Sequence, residues 1–569
     1  MKKNNLTGLV LICIPLIFSM VSVGQNLPVT GVERSKLHHE VPDDNYLPPS
    51  PGSKKTSAFR TKNATIVTTQ VNVDEDGNNI IGDAANEPSI AIDPVNPNRM
   101  AIGWRQFDNV NSNFRQAGYG YSTDGGQNWT FPGVIEQSVF RSDPVLDTDT
   151  AGNFYYNSLT SNASVYTCKV FKSSDGGASW GTGTDAHGGD KQWMTIDRTG
   201  GQGTGNIYSS WTSYYSSCLP GFFTRSTDGG NNFENCVEVA GNPYWGTMAV
   251  GTDGELYIAG SGMYDGIMVS KSTDAQISGN PVTWDFTTYI DMDGYITAQT
   301  PINPVGLLGQ ASIDVDRSDG PGHGNIYILA SFARLSVNDP ADVIFAKSTD
   351  SGLTWSTPQR INDDESITNY QWFGTMSVAP NGRIDVIWLD TRDDNYGWDL
   401  SALYYSYSED QGETWSVNER LSDLFDPHLG YPQQEKLGDY FDMESDSIGA
   451  HLAWANTLNG EQDVYYSYIT SQVTGIKEKP GTRNILSLTS FPNPFRDRNT
   501  IEYKIANTGH VKLAICNIYG EEISVLIDEN QVAGSYTVAL TNDLVPAGFY
   551  FCTLSAGADS KTIRLIRVY

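Results

Sequence analysis

Acidic and aromatic residues stand near the start of several segments with strand character. Aromatic faces beside carboxylates and amides suit the recognition of a sugar, and a pair of carboxylates is what hydrolysis of a glycosidic bond requires. If the strands converge, these side chains are expected to line one ligand-binding mouth. The residues are Glu87, Asp143, Asp190, Trp193, Trp372, Asp439 and Tyr440.

One further segment could hold a metal ion. Asp74, Asp76 and Asn78 lie in an oxygen-rich stretch with a glycine at its turn, as in calcium-binding loops. The distal glutamate of a full EF-hand loop is absent, so an acidic turn without a metal is the alternative. Apart from this calcium site, no cofactor is predicted.

The elements that must position these residues are marked by a repeated turn, Ser-x-Asp-x-Gly-x-x-Trp. Its Ser and Asp side chains bond to the turn backbone, and its Gly adopts a conformation that a Cβ would resist. The aromatic residue is expected to pack back over the hairpin. A damaged copy, Ser272-Thr-Asp274, has Trp284 displaced by an insertion. The intact copies are Ser122/Asp124/Gly126/Trp129, Ser173/Asp175/Gly177/Trp180, Ser226/Asp228/Gly230/Phe233, Ser348/Asp350/Gly352/Trp355 and Ser408/Asp410/Gly412/Trp415.

These copies resemble the Asp-box repeat of bacterial neuraminidases, which implies a β-propeller. Successive serines are 46 to 76 residues apart, a spacing that suits four-stranded blades. Strand-like segments give seven units, the last of which lacks an outer strand. Residues 63–73 are β-rich and are expected to complete it, since ring closure removes unpaired edges. The prediction is an all-β chain with a seven-bladed propeller over residues 62–470, a six-bladed ring being the alternative.

The resemblance also implies a possible sialidase chemistry. Such enzymes need arginines that clamp the substrate carboxylate, a tyrosine nucleophile and an aspartic acid as proton donor. Arg105 and Arg392 are the candidate clamp, Tyr440 the candidate nucleophile and Asp143 the candidate acid. The Phe/Tyr-Arg-Ile-Pro signature of the family is absent, which leaves the activity open.

Both ends of the chain carry export signals. Residues 1–24 combine Lys2 and Lys3 with an apolar stretch and a small-residue cleavage site, as in a secretory signal peptide. Residues 25–61 form an N-terminal extension and 471–484 a linker. Residues 485–569, with Phe491-Pro-Asn-Pro-Phe495 and Pro546-Ala-Gly-Phe-Tyr550, resemble the C-terminal sorting domain of the type IX secretion system. This implies a small immunoglobulin-like β-sandwich that engages the secretion machinery, with release or attachment at the outer surface. An ordinary immunoglobulin-like module, for example one that binds carbohydrate, is the alternative.

Charge and cysteine content limit the partners. The formal net charge of −30 argues against nucleic acid and anionic membranes, so any membrane association should come only through surface attachment. Export permits disulfides. Cys516 and Cys552 are expected to form one.

Three functions are compatible with these patterns. The first is a non-catalytic propeller that binds glycans or glycoproteins at its central mouth. The second is a sialidase-like glycoside hydrolase, and the third is an adhesion or matrix scaffold. The fold alone does not decide between them.

Overall fold

Strands make up almost all the regular structure of the described residues, apart from one short 3₁₀ helix at Ser213–Tyr215. The computed structural model describes residues 44–49, 55–162, 165–470, 487–491, 493, 495–496, 498–505, 508–517, 522–541, 545–546, 548–556 and 559–567. The predicted signal peptide 1–24, the linker 471–484 and most of the extension 25–61 lie outside these ranges. The chain divides into two compact units, residues 1–472 and 473–569. Among the described residues, no helix is long and apolar enough to cross a bilayer.

In the described part of residues 55–470, seven antiparallel sheets follow one another along the chain. They are numbered here 1 to 7, and within each the strands are named first to fourth in chain order. Sheets 1 to 3 contain Ala84–Ile92, Met100–Phe107, Gln116–Ser122 and Thr130–Val134; Ser142–Thr148, Phe154–Asn162, Val165–Ser173 and Thr184–Asp185; and Trp193–Ile196, Ile207–Ser210 and Phe223–Ser226. Sheets 4 and 5 contain Met248–Val250, Leu256–Ser261, Ile267–Ser272 and Phe286–Ile290; and Ser312–Val315, Ile326–Arg334, Asp339–Ser348 and Gln359–Arg360. Sheets 6 and 7 contain Gln371–Val378, Ile384–Asp390, Ala402–Ser408 and Glu419–Arg420; and Asp442–Ser445, Gly449–Asn456 and Asp463–Thr470.

Shorter strands extend or accompany these sheets. Gly294–Tyr295 pairs with the second strand of sheet 5, and Arg60–Lys62 and Ile66–Gln70 join sheet 7. Two hairpin-like pairs lie outside the seven sheets: Lys55–Ser57 with Asn78–Ile80, and Ala298–Thr300 with Asn303–Leu307.

Several of the second strands are buried along their whole length. Every residue of Met100–Phe107, Ile384–Asp390 and Gly449–Asn456 is buried. A strand that alternated apolar and polar residues would bury one face only. The continuous burial therefore reflects sheets packed against a neighbouring sheet on either side, with the core lying between them.

Side chains join the first strand of one sheet to that of the next. Contacts between first strands run from sheet 1 through to sheet 7, and the first strand of sheet 7 contacts that of sheet 1. At this last junction the Asp442 carboxylate accepts a hydrogen bond from Ile90 N at 3.1 Å and one from Ser89 Oγ at 2.6 Å. At five other junctions a side chain of one sheet accepts a hydrogen bond from a backbone N–H of the next sheet. The accepting residue is given first in each pair: Ser89 and Leu146, Asp147 and Ile196, Thr247 and Ile313, Asp314 and Val378, and Ser377 and Ser445.

The segment expected to complete the last unit does pair with it. Ile66–Gln70 lies antiparallel to Asp463–Thr470, with Ile66 opposite Ile469. The buried side chains of Asn72 and Asp463 add a hydrogen bond of 2.7 Å across this junction. Residues nearly 400 positions apart thus share one sheet, and its third strand is not left as an open edge.

The repeated turns have the bonds that their sequence predicts. In the copy at residues 408–415, Ser408 Oγ donates to Asp410 Oδ1 at 2.9 Å and accepts from Gly412 N at 2.8 Å. The other Asp410 contacts come from Thr414, whose N–H and hydroxyl both donate to it. The damaged copy keeps this pattern, because Thr283 N donates to Asp274 Oδ1 at 2.8 Å across the insertion.

The same two serine bonds recur in the other intact copies. The serine hydroxyl donates to the aspartate two residues later at 2.7–2.9 Å and accepts from the glycine N–H four residues later at 2.9–3.0 Å. Their members are Ser122, Asp124 and Gly126; Ser173, Asp175 and Gly177; Ser226, Asp228 and Gly230; and Ser348, Asp350 and Gly352.

The prediction that each aromatic residue of the motif packs over its own hairpin is incomplete. Trp129 does donate from Nε1 to the Gly126 carbonyl of its own turn at 3.1 Å, but its ring lies against Tyr466 of sheet 7, with centroids 5.4 Å apart. The other aromatic residues likewise contact the preceding sheet, because a large ring buries more apolar surface there than over a small turn. They are Trp180 against Tyr119, Phe233 against the cluster that contains Tyr155, Trp355 with Nε1 donating to Thr288 Oγ1, and Trp415 against Phe345.

The glycines of the motif are also held by the preceding sheet, a constraint that the turn alone did not predict. All five have a φ between +77° and +89°, as the motif predicts. In addition, a Cβ at any of them would lie 2.3 to 3.4 Å from a side chain of that sheet. The pairs are Gly126 with Tyr466, Gly177 with Ala101, Gly230 with Tyr155, Gly352 with Tyr257 and Gly412 with Phe345. The motif therefore fixes both a turn and a junction between sheets.

The C-terminal unit contains two antiparallel sheets that share one core of buried residues, among them Leu488, Ile501, Leu513 and Leu554. One sheet has the order Ser487–Phe491, Arg498–Ile505, Gly534–Thr541. The other has the order Glu522–Gln531, Gly509–Cys516, Gly548–Ala556, Asp559–Arg567. In the first sheet, buried and exposed residues alternate along Arg498–Ile505, as expected when one face is solvated.

The predicted bridge between Cys516 and Cys552 is wrong. Both are free thiols on neighbouring strands, but Cys552 stands opposite Ile515, not opposite Cys516. Since successive residues of a strand point to opposite faces, the two sulfur atoms lie on different sides of the sheet. The disulfide among the described residues joins Cys218 and Cys236.

Candidate functional site

The backbone is in an unusual conformation where each first strand begins. A residue with positive φ stands within four residues of the start of every first strand. Such a conformation costs a residue with a Cβ about 1–3 kcal/mol and persists only where its surroundings hold it. The residues are Glu87, Asp143, Lys191, Trp245, Gly309, Phe373 and Gly438.

Four of the predicted site acids meet at this end of the first strands. The Lys191 ammonium lies 2.7 Å from Asp439 Oδ2, 3.5 Å from Asp190 Oδ1 and 3.7 Å from Asp143 Oδ2. Burial disfavours charge on this lysine, but the three carboxylates hold its pKa well above the usual range. The ammonium group is therefore charged and binds the acids to one another.

A second cation extends the same group. The Lys436 ammonium lies 2.9 Å from Glu87 Oε1 and 2.5 Å from Asp439 Oδ2. Arg105 completes the arrangement at 3.2 Å from Glu87 Oε1. Burial raises the pKa of the Glu87 carboxyl to about 7, although both neighbouring cations act to lower it.

This buried ion cluster contains equal numbers of acidic and basic side chains. It contains four acids and four bases when Arg115, which interacts with Asp143 and Asp190, is included. None of the side chains is exposed to solvent, and the hairpin before sheet 5 packs against the cluster, since Leu307 N donates to Asp439 Oδ1 at 2.8 Å. The members of the cluster are Glu87, Asp143, Asp190, Asp439, Arg105, Arg115, Lys191 and Lys436.

The other predicted catalytic groups are engaged in structural contacts. Tyr440 is buried and its hydroxyl donates to the Pro144 carbonyl at 2.7 Å; burial and nearby acids raise its pKa well above the usual value. Arg392 lies 2.8 Å from Asp390 and 2.5 Å from Asp363. A buried phenol with a raised pKa is a poor nucleophile, and a paired guanidinium is not free to clamp a substrate.

The two aromatic candidates, Trp372 and Trp193, lie in different environments. Trp372 lies in the hydrophobic core, where its Nε1 donates to Ser401 Oγ at 3.2 Å. Trp193 packs edge-on against Tyr440, with ring centroids 5.4 Å apart, and is only partly buried. Of the two, Trp193 alone lines a cavity between the first strands.

The oxygen-rich loop binds a lysine of its own chain. Lys55 lies 2.6 Å from Asp74 Oδ2 and 3.3 Å from Asp76 Oδ2. Asp74 Oδ1 accepts from the backbone N–H groups of Asp76 and Asn78, each within 2.9 Å. The loop thus has the bonding of an acidic turn, with an ammonium group where a cation would sit.

A channel runs along the first strands beyond the buried ion cluster. This axial channel is a cavity of about 580 Å³, and a smaller chamber of about 140 Å³, which shares lining residues with it, lies beside Tyr440. Trp193, Met248, Asp314, Asp442 and Met443 line both. Its charged lining is Asp147, Arg198, Asp314, Arg317, Asp442 and Glu444.

Charges in the channel are only partly paired and reach water. Arg198 lies 3.6 Å from Asp147 and 3.5 Å from Glu444, and about a third of its side chain is exposed. Asp442 is partly buried at the junction of sheets 7 and 1, and desolvation raises its pKa to about 7. Sequence patterns did not single out these residues, because none of them belongs to a motif that the sequence shows.

Comparison with known proteins identifies one part of the chain. Residues 489–568 match the secretion system C-terminal sorting domain. The C-terminal unit is a type IX sorting domain. It confirms the export route predicted from sequence, with release from or attachment to the outer surface of the cell. No curated protein sequence matches the chain.

Solved structures with a similar arrangement are distant. A protein of unknown function from Dyadobacter fermentans is 13% identical with a TM-score of 0.41, over 74% of this chain and 100% of that one. A fungal alcohol oxidase in complex with copper is 10% identical with a TM-score of 0.43, over 90% and 100%. Trypanosoma rangeli sialidase in complex with the inhibitor DANA is 9% identical with a TM-score of 0.37, over 90% and 89%. At these values the likenesses carry no information on chemistry.

Proposed function

We propose that residues 62–470 form a seven-bladed propeller that binds an extracellular glycan or glycoprotein, and that residues 485–569 form an immunoglobulin-like sandwich. The seven consecutive sheets and the contacts between sheets 7 and 1 support the blade count. Two sheets around a common core support the sandwich. The sorting domain delivers the propeller to the outside of the cell, where glycans are available.

The axial channel is the proposed ligand site. The observation that carries the proposal is a cavity of about 580 Å³, lined by Trp193 and by carboxylates and guanidinium groups that remain accessible to water. Concave sites with an aromatic surface and a few convergent polar groups are typical of ligand binding. The mouth predicted at the other end of the strands is instead filled by the buried ion cluster.

Binding is favoured over sialidase catalysis. Asp143, Tyr440 and Arg105 are buried, and Arg392 is held by neighbouring acids. A hydrolase that acts within the channel is the second candidate, because burial raises the pKa of Glu444 while Arg198 links it to a second carboxylate, Asp147. A carboxyl group with a raised pKa and a second carboxyl group near it are what glycoside hydrolysis requires.

A glycan array with the full-length secreted chain tests the proposal. Thr195 lines the channel, and Thr195→Trp should fill it and abolish array binding, whereas Thr130→Trp on an exposed outer strand should not. Binding that survives the filled channel would exclude this site. Chromogenic glycosides, sialosides included, test the second candidate: turnover that disappears in Glu444→Gln would replace binding by hydrolysis as the function.

A further inference from the structure

The chamber at the inner end of the axial channel contains a buried amide without a partner. Gln310 lines this chamber and is 4% exposed. Among the described residues, neither its carboxamide oxygen nor its nitrogen has a hydrogen-bond partner. Buried polar groups are nearly always paired, so an unpaired one calls for an explanation.

Two other buried glutamines of the same unit are satisfied at both carboxamide atoms. Gln106 donates to Asp83 Oδ2 at 3.0 Å and accepts from Trp104 Nε1 at 2.7 Å. Gln462 accepts from Asn86 Nδ2 at 2.7 Å and donates to the Lys436 carbonyl at 2.9 Å. The fold can therefore pair a buried carboxamide at both atoms, yet in the part of the chain that the structure describes both atoms of Gln310, which lines the chamber, lack a partner.

The walls around this amide are largely aromatic. Trp193, Phe373, Tyr440 and Phe441 line the chamber. The Tyr440 hydroxyl already donates to the Pro144 carbonyl, so Tyr440 contributes only its ring to the chamber wall. Rings that surround one amide fit a ligand with apolar C–H faces and adjacent hydroxyl groups, which is the chemistry of a sugar.

The charged residues that line the chamber indicate which class of sugar it binds. Among the described residues that line the chamber, the charged ones are Asp314 and Asp442, and none is Lys, Arg or His. A carboxylate-bearing sugar would face two acids and no cation there, which electrostatics disfavours. We propose that the chamber binds one neutral sugar unit of a glycan, and that the Gln310 carboxamide forms hydrogen bonds with its hydroxyl groups. This inference rests on the axial channel being the ligand site.

The experiment is a titration of the full-length chain followed by its tryptophan fluorescence, since Trp193 lines the chamber. The probes are the methyl glycosides of galactose, mannose and N-acetylglucosamine, with those of glucuronic and sialic acid as acidic counterparts. At least one neutral glycoside should bind, and the acidic ones should bind more weakly by about tenfold or more. Equal or tighter binding of the acidic glycosides would overturn the proposal.

Two matched substitutions test the role of the amide. Gln310→Leu should weaken binding of the neutral glycoside by about tenfold or more while the melting temperature stays level or rises, because it removes an unpaired buried group. Gln106→Leu should lower the melting temperature, because it breaks two bonds, and leave the affinity of the folded protein unchanged. Unchanged affinity in Gln310→Leu, or a fall in its melting temperature as large as that of Gln106→Leu, would overturn the assignment.

The two proposals fail in different ways. If array binding is blocked by Thr195→Trp but Gln310→Leu binds normally, the channel remains the ligand site and the chamber assignment falls. If the array shows no ligand and no glycoside binds, both fall.

Discussion

The two ends of the first strands carry similar residues in opposite environments. At the starting end, four acids and four bases form a buried cluster without exposed side chains. Towards the other end, Asp147, Arg198 and Glu444 carry comparable charges in a channel that water enters. Buried charges must be paired within the protein, whereas solvated ones remain available to a ligand. The type of residue alone therefore does not distinguish a binding site from a structural junction.

The largest expected effect is the difference in stability between a variant that loses a cation at the starting end and one that loses a cation in the channel. Lys191→Met removes the cation that three buried carboxylates share and should cost about 3–5 kcal/mol of unfolding free energy. Arg198→Met removes a partly solvated cation from its two carboxylates and should cost less than about 1 kcal/mol. Urea denaturation of the full-length chain, followed on the propeller transition, measures the difference.

A stable Lys191→Met chain would mean that the cluster is hydrated and open. If that variant does not fold at all, Asp190→Asn provides the milder test, because it removes one carboxylate and keeps the lysine paired with Asp143 and Asp439. A loss no larger than that of Arg198→Met would remove the contrast between the two ends.

The sequence predicted what depends on local bonds. In the repeated turns, Ser122 bonds to Asp124 and Gly126, within four residues, so the motif contains all the bonds that the turn needs. The sequence also indicated that residues 63–73 would join the last sheet, because an unpaired edge had to be covered. The sorting domain could be identified because its motifs lie in a fixed order over a short segment.

The packing of the motif's aromatic residues shows where local prediction ends. Trp415 lies seven residues after Ser408, yet its ring packs against Phe345 of the preceding sheet, with centroids 5.1 Å apart. The hairpin dictates that an aromatic ring stands at this position, but which residue it meets depends on the sheet that lies alongside.

The character of the site was not predictable for the same reason. Lys191 and Asp439 lie 248 positions apart in the sequence, yet they are 2.7 Å apart in the structure. No local pattern indicates that acids near the starts of strands will be paired with lysines that come from other sheets. The channel residues Asp147, Asp314 and Asp442 resemble ordinary strand residues, and only their place at the junctions of sheets distinguishes them.

An intermediate effect is expected where the first and last sheets meet. A Cβ on Gly126 would lie 2.3 Å from the Tyr466 ring, whereas a Cβ on Gly200 would meet nothing within 4 Å; both glycines have a φ of +79°. Gly126→Ala and Gly200→Ala therefore share the backbone strain, and the first adds an overpacking cost of about 1–3 kcal/mol. Equal unfolding free energies of the two variants would show that the first and last sheets can move apart at Gly126 and Tyr466 at no cost. The contrast between a tightly packed starting end and an open channel would then be weaker.

The smallest effect is a pH dependence to which the starting end contributes. Burial raises the pKa of Glu87 from 4.5 to about 7, so the folded protein binds more protons than the unfolded chain between these values. Stability should therefore fall as the pH rises from about 5 to about 7 and then level off. Urea midpoints of the full-length chain across this range measure the slope, which Glu87→Gln should reduce and Thr130→Val, on an exposed outer strand, should leave unchanged. A slope that Glu87→Gln leaves unchanged would assign the titration to other acids, such as Asp442 in the channel, and not to the starting end.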